Sequence, residues 1–504
     1  MSLLKYGRQD IPASIVVFFV ALPLCLGIAL ASGAPLLSGV IAGIVGGIVV
    51  GAASGSKLGV SGPAAGLAVI VFDAIATLGS WEAFLCAVVL SGVFQIAFGY
   101  LKAGAVANFF PSSVITGMLT GIGLLIILKQ IPYMFGWHAD FLGEEAFSQA
   151  NGENTFSAIS HAISLISMPV LILSVVSLVM LVAWDKYLAP NFKIFRLIQG
   201  PIAVVFFGIL ISYILASGSS AFSAEQLVSL PVMTSLQDIK AELSVPDLSA
   251  LFNFEVVTIA FVMAVVASIE TLLCVEATDK LDPEKGVTPA NRELRAQGLG
   301  NIISGFIGGL PITQVIVRSS ANIAFGAKSK ASSVFHGVFL LVAVALGAAL
   351  MNFIPLASLA AILIIVGYKL AKPSAFKAMY TKGWEQFVPF ITTVVVMLFT
   401  DLLSGVIAGL VVSLFFSLKH SYKNAFAHDN AEEAGDNRHI VMAEDLCFLN
   451  KPKIMQKLES IPAATKLTLD FSNTKSIAFD VREYIKDYIQ KAKELQIRVE
   501  TIKF

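Results

Sequence analysis

Charge is what this chain has least of. Lys and Arg together number 34 and Asp and Glu 34 in 504 residues, so 13% of the chain is charged and the formal net charge is zero. Soluble domains carry about a quarter charged residues, so a water-covered globule is excluded, and the balanced signs leave no basic footprint for nucleic acid. Cysteine is scarce too. Cys25, Cys86, Cys274 and Cys447 are scattered without CxxC spacing, which excludes a zinc ribbon or a redox pair and leaves packing as their role. The sequence has no nucleotide loop, metal-ligand cluster or nucleophile triad, and His420, His428 and His439 fit no zinc spacing. It therefore reads as non-enzymatic, without a resident cofactor.

What the chain has instead is apolar length: 56% of its residues are hydrophobic. Fourteen apolar segments run from 11–32 to 402–418, which predicts an all-α polytopic membrane protein, in contact with lipid along its spans. The first segment, behind Lys5, Arg8 and Asp10, resembles a signal peptide only superficially, because it is too long and others follow at once. Short loops that collect Lys and Arg face the cytoplasm. Loops 185–196, 278–295 and 369–382 are basic, with Lys193 and Arg196 in the first, whereas the long connections 135–165 and 217–253 hold a single basic residue, Lys240. Those two are expected outside, and both termini in the cytoplasm of a cell with this protein in its plasma or inner membrane.

Two stretches break the apolar pattern, Leu58 to Gly66 and Gly308 to Ser319. Non-helical backbone survives at membrane depth only where protein or a water-filled cavity shelters it, and a break in each half points to a transporter built from inverted repeats. The repeats are expected at about 11–216 and 254–418, seven spans in each, with segment 62–77 running outward and 314–325 inward. Two helix N-termini aimed at one point present free N–H groups and positive partial charge, which suits an anion. The candidate anion-binding residues are Ser61, Gly62 and Pro63 in the first break, and Thr313, Gln314, Val315, Ile316, Val317 and Arg318 in the second. Gly62 permits close approach, Pro63 suits a first helical position, and the Ser61 hydroxyl either contacts the anion or caps the helix. Glu270 sits in an apolar segment, where an ionised carboxylate costs about 2.5 kcal/mol or more. It either serves a coupling cation or forms a structural salt bridge, with Arg318 as the candidate partner; Arg318 in turn either supplies charge to the anion or balances Glu270.

The run Arg292 to Ile302, followed by Gly305 to Gly309 and Pro311-Ile312-Thr313, resembles the signature of the SulP anion transporters, and Ala21-Leu22-Pro23 with Val60 to Ala64 is similar to that family's first and third spans. The resemblance covers the membrane region. It implies a gate domain and a core domain that carries a small inorganic anion, sulfate or bicarbonate, as an elevator, usually in a homodimer. It also implies that Glu270, with Cys274 a turn on, holds Na⁺ or takes up a proton, and that Arg318 lies near the anion. Where many members have glutamine and an aromatic residue in the first span, this chain has Leu24 and Ile28, a more apolar wall that suits a less hydrated anion. Phe18 and Phe19 nearby read as lipid or core contacts.

The hydropathy pattern assigns 1–423 to the membrane domain, 424–437 to a linker and 438–504 to a small cytoplasmic α/β domain. Ile440 to Ala443, Lys466 to Phe471 and Arg498 to Ile502 read as strands, with helices at 452–461 and 481–495. This order resembles a shortened STAS domain, for which a stabilising or dimer-contact role is expected; Ser476 to Asp480 does not support a phosphoswitch. Three functions remain open: a cation-coupled anion importer, an exchanger or channel in which Glu270 is structural, and a nucleobase permease of the same fold.

Overall fold

The computed structural model describes residues 5–137, 147, 154–192, 195, 200–215, 222–228, 243–347, 351–429 and 437–504. It falls into two compact units, Met1–Leu410 and Val411–Phe504.

The first unit is helical. Its first half contains α1 (Gly7–Ala31), α2 (Leu36–Ala53), strand β1 (Ser61–Pro63), α3 (Ala68–Leu78), α4 (Trp81–Tyr100), α5 (Ser112–Phe135), α6 (Thr155–Ser164), α7 (Met168–Asn191) and α8 (Gly200–Leu215). The second half contains α9 (Phe254–Leu281), α10 (Ala290–Phe306), β2 (Ile312–Gln314), α11 (Ile316–Ala324), α12 (Ala331–Ala345), α13 (Leu356–Leu370), α14 (Pro373–Thr381) and α15 (Trp384–Phe399). Helix α16 (Leu402–Lys423) runs across the division between the units.

Every apolar segment read from the sequence carries a helix. Eight stretches among the described residues are long and apolar enough to cross a membrane: α1, α2, α4, α5, α7, α9, α16 and α13 with α14. In a hydrocarbon surround the backbone has no solvent to bond, so these segments become helices despite Gly and β-branched residues of low helix propensity. For the same reason α1 continues through Pro12 and Pro23. The expected loop at 185–196 is helical as far as Asn191; Lys193 and Arg196 lie outside the described residues, as do Lys240 and about half of each long connection.

Small residues set the helix contacts, since apolar side chains gain little by leaving lipid for one another. Gly92 on α4 and Gly298 on α10 cross so closely that a Cβ on either would lie 2.5 Å from the other's carbonyl oxygen. Gly47 on α2 and Gly337 on α12 meet in the same reciprocal way, as do Gly123 on α5 and Gly367 on α13.

The second unit is α/β. Strands β3 (Phe426–Asp429), β4 (Asn437–Met442), β6 (Lys466–Asp470) and β8 (Arg498–Ile502) form one sheet in that order, β3 antiparallel and the rest parallel; β5 (Asp445–Leu446) pairs with β7 (Ser476–Ile477). Helices α17 (Lys451–Glu459) and α18 (Phe479–Ala492) bury Ile454, Leu458, Val481 and Ile485 with Ile440, Leu467 and Leu469 of the sheet. The three sequence-read strands and both helices are present, with edges shifted by a few residues. Part of the expected linker is structured: Phe426–Asp429 is the edge strand, because its backbone finds partners on β4, while 430–436 lie outside the described residues.

Candidate functional site

The two breaks in the apolar pattern meet. Strands β1 and β2 pair antiparallel with Ser61 opposite Gln314, Gly62 opposite Thr313 and Pro63 opposite Ile312, and the Val315 N–H donates to Val60 O at 2.9 Å. Extended backbone in an apolar interior must find partners, and here each break supplies the other's. Because the strands are antiparallel, the chains leave the crossing in opposite senses, one through a tight turn at Ala65–Leu67 into α3, the other through Val315 into α11.

This geometry corrects part of the sequence reading. Pro63 is not the first residue of a helix; it lies in β1, and α3 starts at Ala68. Ser61 is not a cap either, because its hydroxyl accepts from Gln297 Nε2 at 2.7 Å. Thr313 and Gln314 belong to β2, so in the second break only Ile316, Val317 and Arg318 occupy the first turn of a helix, behind Val315 as its N-cap. Their N–H groups have no intrahelical acceptor and face the crossing. The Gln314 side chain turns to α9, donating to Thr278 Oγ1 at 2.9 Å and to the Cys274 carbonyl at 3.5 Å, and its N–H reaches Thr271 Oγ1 at 3.4 Å. Cys274 thus meets the crossing through its carbonyl oxygen.

Helix α10 holds the crossing from one side with three polar residues, Glu293, Gln297 and Asn301, a turn apart on one face and all fully buried. Asn301 Nδ2 donates to Ile312 O at 3.1 Å and to Gln95 Oε1 at 2.6 Å, while its Oδ1 accepts from the Ile312 N–H. Gln297 Nε2 also donates to Glu293 Oε1 at 3.0 Å, and the other Glu293 oxygen accepts from Ser54 Oγ. From α11, Ser319 Oγ accepts from Val60 N at 3.0 Å and Asn322 Nδ2 donates to Leu58 O at 3.0 Å. The run from Arg292 to Ile302 therefore fixes backbone and contributes no side chain cation to the crossing. Its roles were missed in the sequence, although the four-residue spacing of polar side chains was legible.

Arg318 is 0% exposed. Its guanidinium packs against Gly62, where any Cβ would collide with it, and its Nη2 donates to Cys25 Sγ on α1 at 3.3 Å. Glu270 lies at the turn that precedes α3: a Cβ on Gly66 would sit 3.3 Å from its carboxyl carbon. The structure thus brings Arg318 to β1 and Glu270 to the turn beyond it, on two sides of one short stretch. Leu24 and Ile28 are buried on α1, and Phe18 packs on Phe19 with centroids 5.0 Å apart and on Phe339 at 6.4 Å, as core contacts. His336 on α12 and Lys129 on α5, neither singled out in the sequence, are further cationic or titratable groups within apolar helices.

Residues 8–393 match the model of the sulfate permease family. The chain is similar to "Putative sulfate transporter YvdB" of Bacillus subtilis (strain 168), 29% identical over 407 residues that cover 80% of this chain and 72% of that protein. It is 25% identical to "Bicarbonate transporter BicA" of Picosynechococcus sp., over 79% of this chain and 68% of the relative. Its fold is similar to that of SLC26A9, with a TM-score of 0.69 at 16% identity, covering 100% of this chain and 85% of that one. The transmembrane domain of a cyanobacterial BicA gives a TM-score of 0.53 at 22% identity, over 81% and 98% of the two chains.

Proposed function

This chain belongs to the sulfate permease family of membrane anion transporters, and we propose that it moves sulfate or bicarbonate across the cell membrane by secondary active transport. The observation that carries this reading is the β1–β2 crossing with the Arg318 guanidinium buried against Gly62 and the first turn of α11 aimed at the same place. An anion there gains backbone donors, a helix start and one permanent cation, without the desolvation of several charged side chains. The backbone around Gly62, Pro63 and Thr313 and the N–H groups of Ile316 and Val317 form the cradle, with Ser61 positioning β1.

In this proposal the fourteen helical segments are fourteen spans in two inverted repeats of seven, with both termini cytoplasmic. The reciprocal glycine contacts support the repeat: exchanging the halves turns the α4–α10 crossing into the α12–α2 crossing and maps α5–α13 onto itself. The crossing and the helices around it are the core that moves as an elevator against a gate, in a homodimer. Glu270 beside Gly66 binds the coupling Na⁺ or proton at the turn before α3. The second unit is a shortened STAS-like domain that stabilises the dimer.

Uptake of radiolabelled bicarbonate and sulfate into proteoliposomes, with and without an inward Na⁺ gradient and at two pH values, tests this function. Gradient-driven accumulation of either anion is expected. Uptake that ignores both gradients would replace symport with exchange or a channel, and absence of uptake would overturn anion transport.

A further inference from the structure

Behind the crossing lies a second polar cluster that the anion cradle does not use. His336 and Arg318 are both fully buried. Neither ring nitrogen of His336 has a hydrogen-bond partner among the described residues, and neither do Nε and Nη1 of Arg318 or Oγ of Ser333, a turn before His336 on α12. The groups share a face. Leu340, one turn after His336, reaches the position of a Gly43 Cβ at 3.0 Å, and Arg318 Nη1 approaches the same position at 3.7 Å. The guanidinium and the α12 face that carries His336 and Leu340 thus meet at Gly43.

The other charges around α12 are engaged elsewhere. On α1, Asp10 accepts from Ser329 Oγ and the Lys328 N–H at the start of α12, about 10 Å along the helix from His336; Arg8 is exposed and the Cys25 thiol faces Arg318. Helix α2 has no charged residue. Lys330 donates to Ser54 O at 2.9 Å. Arg318, with Nε and Nη1 unpartnered among the described residues, is thus the charge that reaches this face of α12, and the two residues are one permanent and one optional cation.

We propose that His336 is an optional counter-charge for the transported anion, protonated when a divalent oxyanion occupies the crossing and neutral when a monovalent one does. This rests on the crossing being the anion site. Arg318 alone balances a monovalent anion. A divalent anion leaves one uncompensated negative charge in a dry interior, which is costly; a proton taken from water onto one ring nitrogen removes it, and no bond in the anion changes. Conversely, two cations facing each other with no anion between them are unfavourable, so proton and divalent anion bind with reciprocal coupling.

The test is binding and uptake of sulfate and of nitrate by the full chain between about pH 5 and pH 8, in wild type, His336→Gln and His336→Asn. Wild-type sulfate affinity is expected to rise by up to about tenfold for each pH unit of acidification, the slope of one linked proton, while nitrate affinity stays flat. Both variants should flatten the sulfate slope and leave nitrate unchanged. Should neither variant reach the membrane folded, the proton count in wild type decides, with one proton taken up per sulfate and none per nitrate expected. A flat wild-type sulfate profile, equal slopes for the two anions, or a slope retained in the variants would overturn the assignment. Binding of neither anion at any pH would overturn the anion-site reading instead.

Discussion

Gly62 and Arg318 form one structural unit: the guanidinium fills the space that a side chain at Gly62 would need. Gly62→Val should therefore abolish anion binding with normal membrane insertion, which equilibrium binding on purified protein checks, whereas Gly7, where a Cβ would meet only Ile11 Cδ1 at 3.9 Å, should accept alanine with little loss of transport. Glu270→Gln keeps the side chain's volume at the turn before α3 and removes its charge, so it should eliminate Na⁺ or pH dependence of uptake while folded protein remains; dependence unchanged in gradient assays would remove Glu270 from coupling. The residue scale was partly legible. Breaks at Gly62-Pro63 and Pro311 announce themselves in an apolar chain, and so does an acid at Glu270. The direction of the Gln314 side chain was not legible, because Thr278 and the Cys274 carbonyl, which determine it, stand on another helix. His336 was hidden for the same reason, since the charge that gives it meaning belongs to α11.

At the scale of elements, helix existence followed from hydropathy, but the start of α3 did not. A scan of one segment assigns Pro63 to a helix, as its fixed φ allows. Pairing with β2 overrides this by giving the extended backbone partners that a helix start would leave unfilled. Helix α10 then maintains that pair. Asn301 bonds both the N–H and the carbonyl of Ile312, so Asn301→Leu should cost about 1–3 kcal/mol for each backbone group left unpaired. The check is a lowered thermal unfolding midpoint in detergent together with weakened anion binding, while Asn301→Asp tests whether an acceptor alone restores part of the loss.

For the whole molecule, the second unit supplies a pH prediction. Hydrogen bonds from Ser472, with a smaller contribution from His439, hold the Asp470 carboxyl below the usual carboxylate range. Its folded-state affinity for protons is lower than in the unfolded chain, so its contribution to stability is present above the ordinary carboxylate pKa of about 4 and is lost as pH falls below it. Hydrogen-exchange protection of the β4–β6 amides should decrease in acid in the wild-type chain, and Asp470→Asn should show less of this change. The strands and helices of this unit were legible from alternation and amphipathic spacing. The edge strand Phe426–Asp429 was not, because a polar stretch reads as linker until β4 is beside it.

The crossing also constrains how the chain is made. Gly62 emerges about 250 residues before its partner Thr313, so for most of synthesis the first break has no neighbour for its backbone. Amide groups of that kind cannot rest in hydrocarbon. The amino-terminal half must therefore wait, with Ser61–Pro63 held in water or by the insertion machinery, until the second half threads in beside it. The β1–β2 crossing, and with it the site it builds, is therefore completed only after Gln314 has been made, late in the synthesis of the membrane domain.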